Sequence, residues 1–172
     1  LTRSQESSLE EILSDMAGPA PMLRLLQGDV GCGKTVVAAL ALLAACGAGH
    51  QGAFMAPTEV LATQHHRVLT DLLSQMRDPP TVALLTGSTK TAERAQILEE
   101  LNSGNIGIIV GTHALIHEKV VFNSLRIAVV DEQHRFGVEQ RAALLAKGRL
   151  PPHMLTMGGT PLPRTLPMTK FG

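Results

Sequence analysis

Two short runs of residues in this chain have the types and spacing that chemistry needs. The first is GDVGCGKT, residues 28–35, which satisfies the G-x-x-x-x-G-K-[ST] pattern of a phosphate-binding loop. Glycines at 28, 31 and 33 let the backbone wrap so that its N–H groups point inward, and a helix beginning just after them adds the positive end of its dipole. Gly28, Asp29, Val30, Gly31, Cys32, Gly33, Lys34 and Thr35 therefore read as a nucleotide cradle, with Lys34 reaching the β and γ phosphates and the Thr35 hydroxyl placed to ligand Mg²⁺. Cys32 falls at a variable position of the pattern and reads as a small space filler. The second run is DEQH, residues 131–134, directly after the apolar stretch RIAVV. It puts two carboxylates at the C-terminal end of a strand, the side on which open α/β sheets bind ligands. Asp131 would hold Mg²⁺ through its water shell, and Glu132 would orient or deprotonate the attacking water. Alone, the acids would read as helix caps; together with the upstream loop they read as the other wall of one catalytic pocket.

Those groups need a scaffold, and the pattern of the chain supplies one. Thr2 and Gln5 have capping-box spacing, and Leu9, Ile12, Leu13 and Met16 follow on one face of a first helix. Apolar runs at 22–27, 52–56, 81–85, 106–110, 126–130 and 153–157 read as strands. Between them lie an Ala/Leu-rich helix after the loop, a helix after Thr58 with Val60, Leu61, Val68, Leu69, Leu72 and Met76 as its apolar stripe, and helices near 92–101 and 138–147. Strands that return after helices, several of them continuously apolar, predict an α/β fold: a mostly parallel twisted sheet covered by helices on both faces. The stretches near Pro151 and Pro161 read as loops.

Composition removes several classes. Fifteen Lys and Arg balance 15 Asp and Glu, so the net charge is zero and the surface as a whole is no polyanion magnet. Aromatics are 2%, with four Phe and neither Trp nor Tyr, which argues against a base-stacking platform. The longest apolar run, 36–48, falls short of the ~20 residues of a membrane span. Two cysteines in apolar or Gly-rich surroundings suit reduced thiols. The opening LTRSQESS lacks the basic region and apolar core of a secretion signal and begins without Met, so the reading expects a segment of a longer, unsecreted protein.

Taken in order, LTRSQ, LLQGDVGCGKTVVAALA, MAPTEVLA, LLTGSTK, GTHALIHE, VVDEQHRFGVEQR and TPLPRTL resemble the first motor domain of superfamily 2 helicases. The wording DEQHRFGV is most similar to the RecG branch, rather than to the transcription-repair coupling factor or the primosomal helicase. The resemblance spans nearly the whole chain. It implies a RecA-like P-loop fold over residues 1–172, ATP and Mg²⁺ as cofactors, and an ATP-dependent DNA helicase motor that remodels forks and Holliday junctions in repair and recombination. Its partners would be single-stranded and branched DNA, together with a second RecA-like lobe and a wedge domain of the same protein, without a membrane. The compartment would be bacterial cytoplasm at the nucleoid, or a plastid or mitochondrion.

The resemblance also assigns roles that spacing leaves open. Gln5 resembles a glutamine that reads adenine, compatibly with capping. Pro57, Thr58 and Glu59, then Thr86, Gly87 and Ser88, then Gly111, Thr112 and His113 resemble motifs that grip one strand's sugar-phosphate backbone, and each is a strand-end turn rich in N–H and hydroxyl donors. Gln133 and His134 resemble residues linking the ATP site to the DNA side, although His134 fits a structural hydrogen bond equally well. Arg164 in TPLPRT resembles a DNA contact, while Arg135 and Arg141 read as solvated helix arginines and His65, His66 and His117 as surface or core histidines. Where the family shows TATP, this chain has GGTP, keeping Thr160 but losing a hydroxyl and a methyl at Gly158 and Gly159. Coupling is therefore expected to weaken more than nucleotide binding. Two rival readings are a nucleotide-dependent interaction module with a decayed ATPase and a P-loop NTPase that never meets DNA; the first conflicts with intact Lys34, Thr35, Asp131 and Glu132, the second leaves APTE, TGS and GTH unexplained.

Overall fold

The computed structural model describes residues 1–28, 33–131, 136–158 and 168–170. Within them the chain runs α1 (Arg3–Ala17), β1 (Leu23–Gln27), α2 (Lys34–Gly47), β2 (Gln51–Met55), α3 (Glu59–Leu73), β3 (Val82–Leu85), α4 (Thr91–Ser103), β4 (Ile108–Gly111), a 3₁₀ turn (His113–Ile116), β5 (Leu125–Asp131), α5 (Val138–Leu145), β6 (His153–Gly158) and β7 (Met168–Lys170). The strands form one sheet in the order β3-β4-β2-β5-β6-β1-β7, and every pairing is parallel.

Parallel strands covered on both faces need apolar residues at consecutive positions, because successive side chains alternate sides. The core divides accordingly. Phe54, Ile108, Val110, Ile127, Val129 and Leu155 face a cluster that includes Ile12, Leu42 and Leu69 from α1, α2 and α3. Their neighbours Ala53, Met55, Ile109, Ala128, Val130 and Met154 face Ile97 and Leu101 of α4 and Leu144 of α5. Gly52 lets α2 sit close on β2: a Cβ there would lie 2.4 Å from the Leu42 side chain. The capping box of α1 forms as the spacing predicts, with the Gln5 N–H donating to Thr2 Oγ1 at 3.2 Å and the Thr2 N–H to Gln5 Oε1 at 2.8 Å. Arg24 then ties α1 to β1 through Glu11 at 2.7 Å and Asp15 at 2.8 Å.

Two expectations change. The apolar stripe of α3 is only in part the one expected: Leu69 is buried and Leu61 packs partly against the core, joined by Ala62 and Leu73, whereas Val60 is 77% exposed and Val68, Leu72 and Met76 are exposed too, Met76 lying beyond the helix end. At 3.6 residues per turn the line through 62, 69 and 73 passes over positions 65 and 66, and both are histidines, so the sheet-facing seam is polar in its middle. The second change is β7, a three-residue strand parallel to β1 that lies beyond the last strand the apolar pattern marks.

Candidate functional site

In a parallel sheet all strands end on the same side, and the registers fix what lies side by side there. Gln27 of β1, the last residue before the cradle, pairs with Gly158, and Asp131 of β5 pairs with Met157 one position earlier. Only β6 separates β1 from β5, so the cradle's entry and the aspartate lie about 10 Å apart at one edge. The two groups the sequence pairs across 100 positions of chain therefore share one rim, on the ligand-binding side of a doubly wound sheet.

On the cradle side, α2 begins at Lys34 with Gly33 as its N-cap in the left-handed conformation, φ 76°. Lys34 Nζ donates to the Gly28 carbonyl at 2.8 Å, so the ammonium bridges the two ends of the loop. Gln5 packs against the same place: a Cβ on Gly33 would meet its Nε2 at 2.0 Å. Position 33 thus needs glycine twice over, for its backbone angle and for the glutamine beside it.

On the acid side, Asp131 shares its sheet face with Ile127 and Val129, the face covered by α3, and its carboxylate is not left to solvent. His65 Nε2 donates to Asp131 Oδ2 at 2.7 Å, with the two side chains 13% and 14% exposed. The imidazole also stacks on Phe54, ring centroids 4.5 Å apart. The sequence alone marks His65 only as a surface or core histidine, and it is the packing of α3 on the sheet that brings it to Asp131.

The three turns beyond the ATP half come together as well. Met55, Gly111 and Leu85 are register partners at the ends of the adjacent strands β2, β4 and β3, so residues 57–59, 111–113 and 86–88 leave the sheet in a row beside Asp131. Much of their polarity is spent on holding the turns. Thr58 caps α3 by accepting from the Leu61 N–H at 3.2 Å, and Thr112 accepts from the Ala114 N–H at 3.4 Å. Thr86 receives the Arg94 guanidinium on its carbonyl at 2.7 Å. Thr112 and Thr86 are only 3% and 5% exposed, so they shape their turns from inside. Thr58, Glu59, Gly87, Ser88 and His113 are exposed along the row, with Pro57 half-buried. Glu59 is turned inward on its neighbour: Oε1 accepts the Ser88 N–H at 3.0 Å and Oε2 the Ser88 hydroxyl at 3.1 Å. A groove of about 590 Å³ lined by Glu59, Val60, Thr63, Gln64 and Arg67 continues along the outer side of α3.

Asp29, Val30, Gly31, Cys32, Glu132, Gln133, His134, Thr160 and Arg164 lie outside the described residues. Among the described residues no three or more His, Cys, Asp or Glu side chains gather as a metal cluster. Thr35 and Asp131 carry the hard oxygens that Mg²⁺ prefers, a hydroxyl and a carboxylate. No helix among the described residues is long and apolar enough to cross a membrane.

A doubly wound parallel sheet with a phosphate loop on one strand and an acidic strand end two places away defines a P-loop NTPase of the RecA-like kind. The chain belongs to the DEAD/DEAH box helicase family, whose model matches residues 2–166. It is 55% identical over 172 residues to the ATP-dependent DNA helicase RecG of Synechocystis sp., covering all of this chain and 20% of that protein. A chloroplastic/mitochondrial homologue of that helicase from Arabidopsis thaliana is 47% identical over 197 residues, again 100% of this chain and 20% of its own. In three dimensions the chain is similar to RecG bound to a three-way DNA junction, with a TM-score of 0.82 and 46% identity over 96% of this chain and 22% of that one. It spans about a fifth to a quarter of the length of its curated relatives.

Proposed function

We propose that this chain is the first motor lobe of a RecG-like ATP- and Mg²⁺-dependent DNA translocase that remodels forks and other branched DNA, its second lobe and wedge lying elsewhere in a longer protein. The observation that carries the reading is the common rim: nucleotide cradle, acidic strand end and three donor-bearing turns occur in lateral succession along one edge of one sheet. In this reading Lys34 holds the β and γ phosphates, Gln5 meets the adenine, and Thr35 with Asp131 would hold Mg²⁺, which when bound neutralises charge on the transferring phosphoryl group. Glu132 orients or deprotonates the attacking water. Gln133, His134 and Thr160 pass the state of the nucleotide to the DNA side. The 57–59, 86–88 and 111–113 turns, with Arg164, hold one strand by its phosphates without reading bases. In this reading it works in a bacterial cytoplasm or an organelle of bacterial ancestry, which is supported by relatives from Synechocystis sp. and, as a chloroplastic/mitochondrial protein, from Arabidopsis thaliana.

The test is hydrolysis of Mg·ATP by the full-length protein with no DNA, with single-stranded DNA and with a three-way junction. Junction DNA is expected to stimulate turnover most, and Lys34→Ala to abolish it. Turnover indifferent to DNA would return the chain to the class of P-loop NTPases without a nucleic-acid partner.

A further inference from the structure

Two histidines sit side by side on α3, and their partners differ in kind. His66 Nε2 meets the Val82 carbonyl at 3.1 Å, the ordinary fate of a ring that closes a backbone group in the core. His65 turns to a carboxylate at the sheet's C-terminal rim, Asp131, at 2.7 Å. Its ring leans on Phe54, a residue buried in the core, at an interplanar angle of 34°, which restricts ring rotation. A strand-end aspartate has two free side-chain torsions; a hydrogen bond to a wedged ring removes that freedom on one oxygen and leaves the carboxylate its second. Outer partners of this kind orient the groups that hold a metal.

The helix carrying His65 begins at the exposed row. Its N-cap is Thr58, its first residue is Glu59, and Glu59 clasps Ser88 of the neighbouring turn through both oxygens. His65 lies six positions along the helix from Glu59, a rise of about 9 Å. A hydrogen-bonded helix of 15 residues moves as a body over that distance.

We infer that His65 is a positioning residue: it sets the Asp131 carboxylate for Mg²⁺ and makes α3 the rigid link between the strand-gripping turns and the metal side of the nucleotide pocket. The inference rests on the motor reading above for the identities of the two ends.

The experiment compares His65→Ala, His65→Phe and His65→Gln in the full-length protein. Phenylalanine keeps the ring on Phe54 but has no donor, and glutamine keeps an N–H of similar reach. Binding of a fluorescent ADP is titrated with Mg²⁺ in the absence of DNA and repeated in EDTA; the ratio of ATP turnover with and without single-stranded DNA is then measured, with a melting curve for each variant. His65→Ala and His65→Phe are expected to raise the Mg²⁺ concentration for half-saturation roughly tenfold, at the low end of losses from outer-shell partners, to leave binding in EDTA unchanged and to shrink the DNA stimulation ratio. His65→Gln is expected to recover most of both. Wild-type Mg²⁺ dependence in His65→Phe overturns the positioning role, as does a glutamine variant no better than alanine. An unaltered stimulation ratio in variants with weakened Mg²⁺ dependence overturns the link through α3. A wild-type protein whose turnover ignores DNA overturns the motor reading and the link with it, so the two failures read differently.

Discussion

Glu59 is an anion in a row proposed to hold a polyanion, and its hydrogen bonds explain how it can be there. Its carboxylate accepts from the Ser88 N–H and hydroxyl, so it shapes the donor row from within. Glu59→Gln keeps one acceptor for Ser88 and removes the repulsion. Single-stranded DNA binding at low salt is therefore expected to tighten about twofold, the scale of one exposed charge pair, measured by fluorescence anisotropy. Weaker binding would mean that the carboxylate itself touches the ligand. His153 offers a second measurement at this scale. It is buried at the start of β6 with Nδ1 accepting the Met22 N–H at 2.8 Å. Burial, followed by the nearby Arg126 charge, pushes its pKa below the usual 6.5, offset in part by the Met16 carbonyl and Asp15. The unfolded chain then binds a proton at higher pH than the folded one. The stability contributed by neutral His153 is whole above about pH 6.5 and is lost as pH falls toward the lower folded value. Urea midpoints should drop between about pH 7.5 and 5.5, and His153→Gln should flatten that dependence. An unchanged slope in the variant would assign the acid sensitivity to other groups.

Elements place these residues, and close approach between elements is where substitutions should cost most. At the end of β4 a Cβ on Gly111 would stand 2.2 Å from the Leu85 carbonyl oxygen of β3, a backbone atom with nowhere to go, and 2.9 Å from the Leu115 side chain. Gly111→Ala is expected to destabilise the fold by about 1–3 kcal/mol, the usual cost of overpacking, read from a denaturant midpoint. A neutral outcome would show that β3 can slide at the sheet's edge. The glycine of the GTH turn is thus required by packing, whatever the turn binds. Elements were also what the sequence displayed best. Continuous apolar runs marked six strands to within two residues, because a strand buried on both faces leaves no ambiguity of period. The patterns of the loop and the acidic pair are local too, and their described flanks, Gln27 ending β1 and Asp131 ending β5, stand where those patterns expect them. Partners distant in sequence leave no such pattern. His65 meets Asp131 across 66 positions, and nothing in either neighbourhood encodes that contact. The α3 stripe is only half visible, through Leu61 and Leu69, because two histidines occupy the seam that apolar residues would otherwise mark.

At the scale of the whole molecule, one sheet carries both halves of the proposed machine, but hydrolysis of this kind draws on groups from a facing lobe. An arginine finger contributes roughly 10³- to 10⁵-fold in rate, so residues 1–172 alone are expected to turn over Mg·ATP slower by about that factor than the full-length protein. They should separate no strands. Steady-state turnover of the two proteins side by side checks this, and brisk DNA-stimulated hydrolysis by the short chain would contradict it. A neutral chain holding phosphates chiefly by dipoles should also show a shallow dependence on salt, since each neutralised phosphate contributes only ~0.7 to the logarithmic slope on single strands.

β1, the strand that carries the cradle, has β6 and β7 as its two neighbours in the sheet, and both come far later in the chain: the Met22 N–H waits for His153, 131 positions on. During synthesis at about 5–20 residues per second, the segment that will grip nucleotide stays unmated for on the order of ten seconds after it is polymerised. Leu25 and Leu26, fully buried at the end, spend that interval as bare greasy surface on a nascent chain. Ribosomal pausing between the codons for β1 and those for β6 would lengthen the wait, making yield of native protein sensitive to codon choice far downstream of the loop it protects.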